Sequence, residues 1–282
     1  MKFVKLNNNN QFVAVSPSIC PNFATGMYMQ DFTSAMCANA PTPSGTGYFP
    51  IGVLTDRRDN KTYEVRKFAD GNCWMVDNLA YGGSDLNNGI DGCMKTSFCN
   101  YGYNTDGSCI LAFNNFVPIV DKIAPGLYGD CVYTYASTQM SDDKQYGYLY
   151  NWQATIQDAN AYYGSDYQPT QPVRGLCPDG LYLPTGGPNG QFQSLNTAAG
   201  SPTTGFWQTD GSWQGGYAGG AFMKADGGTR LEFQELAGLY STSTPVDAER
   251  VYYLNLRNDL VGLLSIATKA SGGWSVRCLK TP

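Results

Sequence analysis

Histidine is absent from the 282 residues of this chain. Ser-His-Asp triads and Cys-His dyads need an imidazole as general base, and many metal centres use one as a ligand. None of these sites can be built from this chain, which excludes most hydrolase mechanisms. Charged residues are also scarce, at 15% with a net charge of −5. The sequence has no basic stripe, so we expect no nucleic-acid partner.

Long apolar runs are missing as well. No stretch reaches the ~18 consecutive apolar residues of a membrane-spanning helix, so we expect no membrane span. The opening residues MKFVKLNNNNQFVAV lack the apolar core of a signal peptide.

Nine cysteines are spread along the chain without a Cys-x-x-Cys pair. Structural zinc sites usually need closely spaced ligands, so disulfides are the favoured interpretation and an all-Cys zinc site is the alternative. Disulfides predict an extracellular or cell-surface location. We therefore expect a mature form whose targeting or anchoring segment has been removed. The odd count leaves at least one thiol free or paired with another chain.

The composition favours short strands joined by long loops, because the chain has 33 glycines and 20 tyrosines. Alternating segments such as TYEVRKF, VYYLNLRND and LVGLLSIATKA predict strands, whereas YGYLYNWQATIQDANAYY and GPNGQFQSLNTAA predict helices. The sequence thus predicts an α+β fold with mainly antiparallel strands, two helices and long loops. We divide it into an N-terminal extension at 1–50, with a strand and a short helix, and a main domain at 51–282. A Cys-rich insertion occupies about 84–145.

Several motifs, in order, carry a family resemblance. DRRDNKTYEVRKFADGNCWMVDNLAYGG, YGYLYNWQA, GLCPDGLYLPTGG and the closing WSVRCLK resemble the Fibrobacter succinogenes major paralogous domain. The preceding YMQDFTSAMC is similar to the variant common in surface proteins of candidate-phyla-radiation bacteria such as Saccharibacteria. The resemblance covers about 55–282 and leaves the insertion unmatched. It implies a C-type-lectin-like fold, which formylglycine-generating enzymes share, but it implies little about the ligand.

The same resemblance implies the disulfide pairs. Cys177 and Cys278 lie in paired family blocks and are expected to bond, the alternative being a free buried thiol at one of them. Cys37 and Cys73 both belong to the lead-in variant and form the second expected pair. The insertion cysteines are expected to pair among themselves in an order that sequence leaves open: Cys93, Cys99, Cys109 and Cys131. Cys20 is then the unpaired thiol.

Two groups of tryptophans invite different interpretations. Trp74, Trp152 and Trp274 lie in the three family blocks and are expected to share an aromatic core, with a sugar-stacking platform as the alternative. Trp207, Trp213 and Tyr217 lie in the polar stretch GFWQTDGSWQGGY. They fit a stacking platform better, although a core position is the competing interpretation.

The loops between about 200 and 270 are the predicted ligand surface. In retroelement-diversified relatives, the residues upstream of the closing strand vary, and this implies six contact residues: Tyr240, Asp247, Tyr253, Asn255, Arg257 and Asn258. The chain is also rich in Tyr, Asn, Ser and Gly, a composition typical of adaptable binding surfaces.

Charged and oxygen-rich turns form the remaining candidates. The cluster from Asp56 to Asp59 predicts a solvated hairpin tip or an Arg–Asp pair, and Arg277 is expected to form an ion pair or to cap carbonyls. Asp85, Asn88 and Asp91 are weak calcium candidates, because such turns need Asn, Asp and Gly anyway. We therefore assign no metal, no cofactor and no catalytic residue.

Together these features predict a non-enzymatic binding or adhesion protein that is secreted or displayed on a cell surface. Its expected partner is a protein or glycan on another cell. The alternative is a structural subunit of a filament, pilus or virion fibre, in which the N-terminal segment completes a neighbour's sheet. A formylglycine-generating enzyme is the weakest alternative, because that branch uses two reactive cysteines near the C-terminus, and here only Cys278 follows Cys177.

Overall fold

The computed structural model describes residues 3–6, 12–15, 24–81, 132–134, 147–150, 152–158, 161, 166–202, 205–208, 210–215, 220–223, 229–233, 236–269 and 272–282. The strands are β1 (Phe3–Leu6), β2 (Phe12–Val15), β3 (Phe49–Thr55), β4 (Thr62–Lys67), β5 (Cys73–Met75), β6 (Val132–Thr134), β7 (Tyr148–Tyr150), β8 (Gly220–Met223), β9 (Thr229–Glu232), β10 (Ala237–Pro245), β11 (Arg250–Arg257), β12 (Leu260–Thr268), β13 (Gly272–Gly273) and β14 (Leu279–Lys280). The helices are α1 (Ser34–Asn39), α2 (Trp152–Ile156) and α3 (Gln191–Ala198). None of the helices in this part of the chain is long and apolar enough to cross a membrane.

Antiparallel pairing dominates the architecture. The sheets have the strand orders β14-β5-β4-β3, β10-β11-β12, β13-β8-β9, β1-β2 and β6-β7, and every one of these pairs is antiparallel. Parallel contacts between described residues are two isolated bridges, Tyr28 with Thr55 and Tyr240 with Ser275. The predicted α+β class with mainly antiparallel strands is therefore confirmed.

The predicted helix beginning near Tyr148 is corrected by long-range pairing. Residues 148–150 form β7, which pairs with β6, and Tyr150 exchanges backbone hydrogen bonds with Trp274. The helix begins only at Trp152. A β-sheet partner 124 residues away (274 − 150) thus decides the conformation of a segment whose local pattern suits a helix.

The segment from Ala24 to Pro50, predicted as part of an N-terminal extension, packs against the central strands. Met29, Phe32 and Cys37 are buried in the same core as β3–β5. Lys67 Nζ donates to the carbonyls of Cys37 and Ala40, both at 2.8 Å, and so caps the C-terminal end of α1. Burial lowers the pKa of this lysine. These contacts place residues 24–50 in the main domain.

The outer edges of the central strands are covered by short backbone segments. Beside β3, Ala24 N donates to Ile51 O, Gly26 N to Val53 O, and Thr55 N to Met27 O. Beside β14, Tyr182 and Leu279 exchange two hydrogen bonds, and beside β10 Ser241 N donates to Ser275 O.

Buried residues form two apolar clusters on either side of the β10–β11 ladder. One contains Trp152 and Trp274 with the strands β3 to β5, and the other contains Trp74 with α3. All three family-block tryptophans are fully buried, as expected of core residues. The indole of Trp152 donates to the carbonyl of Thr242 at 3.0 Å, which satisfies its polar edge.

Arg277 is an unusual core residue, because its cationic side chain is fully buried. Its Nε donates to Asn78 Oδ1 at 2.8 Å, and its two terminal nitrogens donate to the carbonyls of Trp213 and Gln214 at 2.7 Å. The guanidinium lies 4.9 Å from the ring centroids of both Trp213 and Tyr240. Burial lowers its pKa. The expected carbonyl cap is therefore present, and the amide oxygen of Asn78 is the third acceptor.

That turn contains the predicted Arg–Asp pair. Arg58 contacts both carboxylate oxygens of the buried Asp56, at 2.6 Å through its terminal nitrogen, and donates to Leu176 O at 2.8 Å. Its guanidinium also lies over the ring of Tyr81 at 3.7 Å. The cluster thus fastens the β3–β4 turn to the segment preceding Cys177.

Both disulfides implied by the resemblance are present, Cys37–Cys73 and Cys177–Cys278, separated by 36 and 101 residues. Each disulfide ties a remote segment to the central sheet. Cys37 of α1 bonds to Cys73 of β5, and Cys177 bonds to Cys278, which immediately precedes β14. Cys20 and the four insertion cysteines lie outside the described residues.

The two disulfides should differ in their contribution to stability. In the chain-entropy account, a loop of ~100 residues contributes about 4.7 kcal/mol and one of ~36 residues about 3.8 kcal/mol. We expect Cys177→Ser/Cys278→Ser to lower the free energy of unfolding by more than Cys37→Ser/Cys73→Ser, measured in urea. If the first variant and the native chain had the same free energy of unfolding, the Cys177–Cys278 disulfide would not stabilise the fold.

Arg277→Lys should lower the free energy of unfolding by about 2–4 kcal/mol, because an ammonium cannot reproduce the planar fork that serves three oxygens and two rings. The control is Arg174→Lys, whose salt bridge to Asp179 is exposed; its cost should stay below about 0.5 kcal/mol. Urea denaturation checks both. A loss of the same small size for Arg277→Lys would show that the buried fork is dispensable.

Candidate functional site

Three of the predicted ligand contacts are core residues. Trp207, Trp213 and Tyr240 are buried in one aromatic cluster, with ring centroids 5.4 Å apart for Trp207–Trp213 and 6.3 Å for Trp213–Tyr240. The Trp207 indole donates to Asn196 Oδ1 at 3.2 Å. Side chains without exposed surface offer nothing to a ligand at the surface, so this part of the predicted site is corrected.

The sequence feature that indicates the burial of these two indoles is Gly215. The polarity of the surrounding residues does not indicate it. The segment folds back on itself: Trp213 N donates to Phe206 O, and Gly215 N donates to Trp207 O. A Cβ on Gly215 would lie 2.2 Å from Trp207 O, so a residue without a side chain is needed there. Asp210 is exposed and Gln208 and Ser212 are partly exposed, whereas the two indoles turn into the core.

Several other predicted residues lie outside the described part of the chain: Tyr217 and the calcium candidates Asp85, Asn88 and Asp91. Among the residues that the structure describes, no group of three or more Cys, Asp or Glu side chains is placed to hold a metal ion.

Asp247 has a local role in the turn between β10 and β11. Its carboxylate accepts hydrogen bonds from the backbone of Glu249 and Arg250 and from Arg250 Nε, the last at 2.7 Å. The hydrogen bond from the Arg250 side chain holds the pKa of Asp247 below its usual value. The side chain therefore shapes a turn at the surface.

Tyr253 and Asn255 share one face of the β10–β12 sheet with Ser241 and Trp274. Tyr253 is half-buried and stacks on Trp274 with centroids 5.2 Å apart and planes 8° from parallel. Ser241 lies opposite Tyr253 in the antiparallel register. Ser241 Oγ, Asn255 Oδ1 and Trp274 Nε1 are three of the five buried side-chain polar atoms that have no hydrogen-bond partner in the described structure. Because these buried polar atoms lack hydrogen bonds, they lower the stability of the protein at this face of the sheet.

Arg257 and Asn258 are exposed where β11 turns into β12. The guanidinium of Arg257 lies 5.2 Å from the ring centroid of Phe233, and Arg257 pairs with Ala237, which follows Leu236. Leu236 is 62% exposed, and Leu260 is exposed beyond the turn. We call this surface the tip patch; it consists of Phe233, Leu236, Arg257, Asn258 and Leu260.

Exposed apolar side chains concentrate on this sheet. Of the eight large hydrophobic residues exposed in the described chain, Phe233, Leu236, Leu260, Leu264 and Ile266 lie on it or directly before it. Grouped exposed apolar residues indicate an interaction surface more often than single ones do. None of these five residues was among the contacts predicted from the sequence. The available signal was that LVGLLSIAT is apolar on both faces of a strand.

The geometry of the tip patch suits recognition. Arginine is among the residue types that contribute most binding energy at protein interfaces, and here it lies over an aromatic ring beside exposed aliphatic side chains. The loop at 205–215 borders it, because Gln208 Nε2 donates to Asn258 O at 3.3 Å. The tip patch is therefore supported by the β10–β12 sheet and by the 205–215 loop. Arg277 holds this loop in place through the carbonyls of Trp213 and Gln214.

Comparison with models of protein families, with curated proteins and with solved structures gives no significant match to this chain.

Removal of one unpartnered hydroxyl should stabilise the protein. Ser241→Ala deletes a buried oxygen that has no hydrogen bond, so we expect the free energy of unfolding to rise by about 1 kcal/mol. The matched control is Ser243→Ala, two residues further along β10, because Ser243 Oγ contacts Gln171 Oε1 at 3.2 Å and Pro184 O at 3.3 Å. That variant should lose stability. Thermal unfolding checks both, and a destabilised Ser241→Ala protein would show that its hydroxyl has a partner in solution.

Proposed function

We propose that the chain is a non-enzymatic binding or adhesion protein, secreted or displayed on a cell surface, with a C-type-lectin-like scaffold. The observation that carries the proposal is the tip patch, where Arg257 lies over Phe233 beside the exposed Leu236. Its partner is a protein or a glycan on another cell surface.

The scaffold supports this role through its rigidity. Two disulfides, the Arg277 fork and the hydrogen bond from Arg58 to Leu176 O connect segments that are far apart in sequence. A surface held in one geometry loses little conformational entropy on binding, which favours affinity. The disulfides also support an oxidising compartment such as the cell exterior.

The resemblance to the Fibrobacter succinogenes major paralogous domain supports the proposed scaffold. The blocks that carry it coincide with structural anchors: Trp74, Trp152 and Trp274 are buried, and Arg277 and Cys278 make the contacts described above. Motifs of this kind specify a scaffold, and the exposed surface sets the ligand. We therefore assign recognition to the tip patch and none to the buried motifs.

The labelled full chain should bind to a panel of bacterial cells or to a glycan array. Arg257→Ala combined with Leu236→Ser should weaken that binding at least about tenfold, because truncation of such anchor residues costs this much or more. The control is Arg174→Ala, an exposed arginine outside the patch. A parallel measurement with a calcium chelator tests the weak calcium assignment.

Two results would contradict the proposal. One is the absence of binding to any cell or glycan at micromolar concentration. The other is binding that the tip-patch variant leaves unchanged, which would move the site elsewhere on the chain.

A further inference from the structure

Arg257 differs from the other arginine side chains that the structure describes, because its guanidinium donates to no oxygen of the described residues. Asp259, the acid two residues further along the β11–β12 turn, is exposed as well, and no ion pair joins these two described side chains. The other described arginines all have acceptors, which are an aspartate for Arg57, Arg58, Arg174 and Arg250, a glutamate for Arg66, and amide and carbonyl oxygens for Arg277. Within the described structure, Arg257 therefore keeps its N–H donors available.

The position of this guanidinium is nevertheless defined. Arg257 ends the strand β11 and pairs with Ala237 on one side and with Leu260 on the other. Its guanidinium lies 5.2 Å from the ring centroid of Phe233. A side chain that is already held against a ring loses little rotamer freedom when it binds a ligand, so the unpaired donors are preorganised.

Phe233 holds an unfavourable backbone conformation at this site. Its φ is 63°, in the left-handed region that bulky side chains rarely occupy. The Phe233 carbonyl accepts hydrogen bonds from the backbone of Leu236 at 2.9 Å and of Ala237 at 2.8 Å, and these bonds fix the turn. The turn places the ring against Arg257 and leaves Leu236 62% exposed. Strained residues of this kind cluster at sites that bind ligands.

The unpaired guanidinium and its apolar neighbours define the chemistry of a matching ligand. A planar guanidinium fits a carboxylate, because two parallel N–H···O bonds can form between them. Leu260, which is 44% exposed, pairs with Arg257 on one side, and Leu236 directly precedes the Arg257 partner Ala237 on the other side. A ligand that satisfies the donors and covers both leucines has a carboxylate next to apolar groups.

We propose that the tip patch recognises a single carboxylate side chain, flanked by apolar side chains, in a protein segment of its partner. The carboxylate accepts two hydrogen bonds from the Arg257 guanidinium, and the apolar side chains pack against Leu236 and Leu260. This inference rests on the proposed function, which assigns recognition to the tip patch.

A protein segment is the occupant that the surface favours over an acidic sugar. A sugar presents mainly hydroxyl groups to Leu236 and Leu260, whereas apolar side chains bury their surface against them. The net charge of −5 disfavours strongly acidic segments. Salt screens this charge beyond about 10 Å, so one carboxylate is bound through the local donors of Arg257 and not through attraction at long range.

Fluorescence polarisation with defined peptides tests this inference on the full chain. The probes are labelled peptides in which one glutamate stands between two residues chosen from Leu, Ile, Val and Phe, with Ser and Gly at both ends. Each has a partner peptide with glutamine in place of the glutamate. We expect at least one glutamate peptide to bind with a dissociation constant below about 500 µM, and its glutamine partner to bind about tenfold or more weakly.

Variants of the chain assign this preference to the guanidinium. Arg257→Gln should bind the glutamate and glutamine peptides equally, and Arg257→Lys should keep only part of the preference, because lysine retains the charge without the planar fork. Leu236→Ser should weaken both peptides by the same factor. Arg174→Gln is the matched control, because this exposed arginine lies outside the patch, and it should bind like the native chain. Circular dichroism verifies that each variant is folded.

Any one of three results would overturn the inference. All glutamate peptides could fail to bind at 500 µM, Arg257→Gln could keep the preference for glutamate, or sialyllactose could displace the best peptide at a lower concentration than the unlabelled peptide does. The last result would assign the patch to an acidic glycan. Loss of cell binding in Arg257→Ala/Leu236→Ser would uphold the proposed function even then, whereas cell binding that this variant leaves unchanged would remove both.

Discussion

The arrangement of the C-terminal half of the structure depends on the hydrogen bonds and ring contacts of the buried Arg277 guanidinium. It donates to oxygens of Asn78, Trp213 and Gln214, and it lies 4.9 Å from the ring centroids of both Trp213 and Tyr240. A buried cation is tolerated only when its donors are satisfied, so these groups must be present together. The residue therefore fixes the 205–215 loop relative to the strand β10, and this loop borders the tip patch.

The closing strand turns that local arrangement into a global one. Cys278 bonds to Cys177, Leu279 pairs with Trp74 and with Tyr182, and Lys280 Nζ donates to Gly180 O at 2.6 Å. A segment near the end of the chain thus joins the central sheet, the 177–182 loop and the core. The tip patch and the strand β12 present exposed apolar groups at the surface of this frame, while Val261 and Leu263 on β12 pack against the core.

Much of the scaffold was predictable because the relevant signals are strong and local. The alternating segments TYEVRKF, VYYLNLRND and LVGLLSIATKA predicted β4, β11 and β12, and the segment GPNGQFQSLNTAA predicted α3. The resemblance implied both disulfides that the described structure contains. The tip residues Arg257 and Asn258 were predicted to be accessible, and they are exposed. Trp207 and Trp213 were assigned to the surface because their neighbours are polar, and composition does not reveal which way a side chain turns. Tyr240 was assigned there because the resemblance implied contacts upstream of the closing strand.

The sequence by itself determined which catalytic and metal-binding sites this chain can form and, through the family resemblance, which cysteines form the two disulfides. The absence of histidine, the low charge and the cysteine pattern are properties of composition, and they hold in any conformation. Only the tertiary structure decided which residues face solvent, because burial depends on partners far apart in sequence. Arg277 and Asn78 are 199 residues apart, and Arg58 reaches Leu176 across 118 residues. A different distant contact, the pairing of Tyr150 with Trp274, turns Tyr148–Tyr150 into a strand, and Arg277 holds the 205–215 loop whose two indoles are buried.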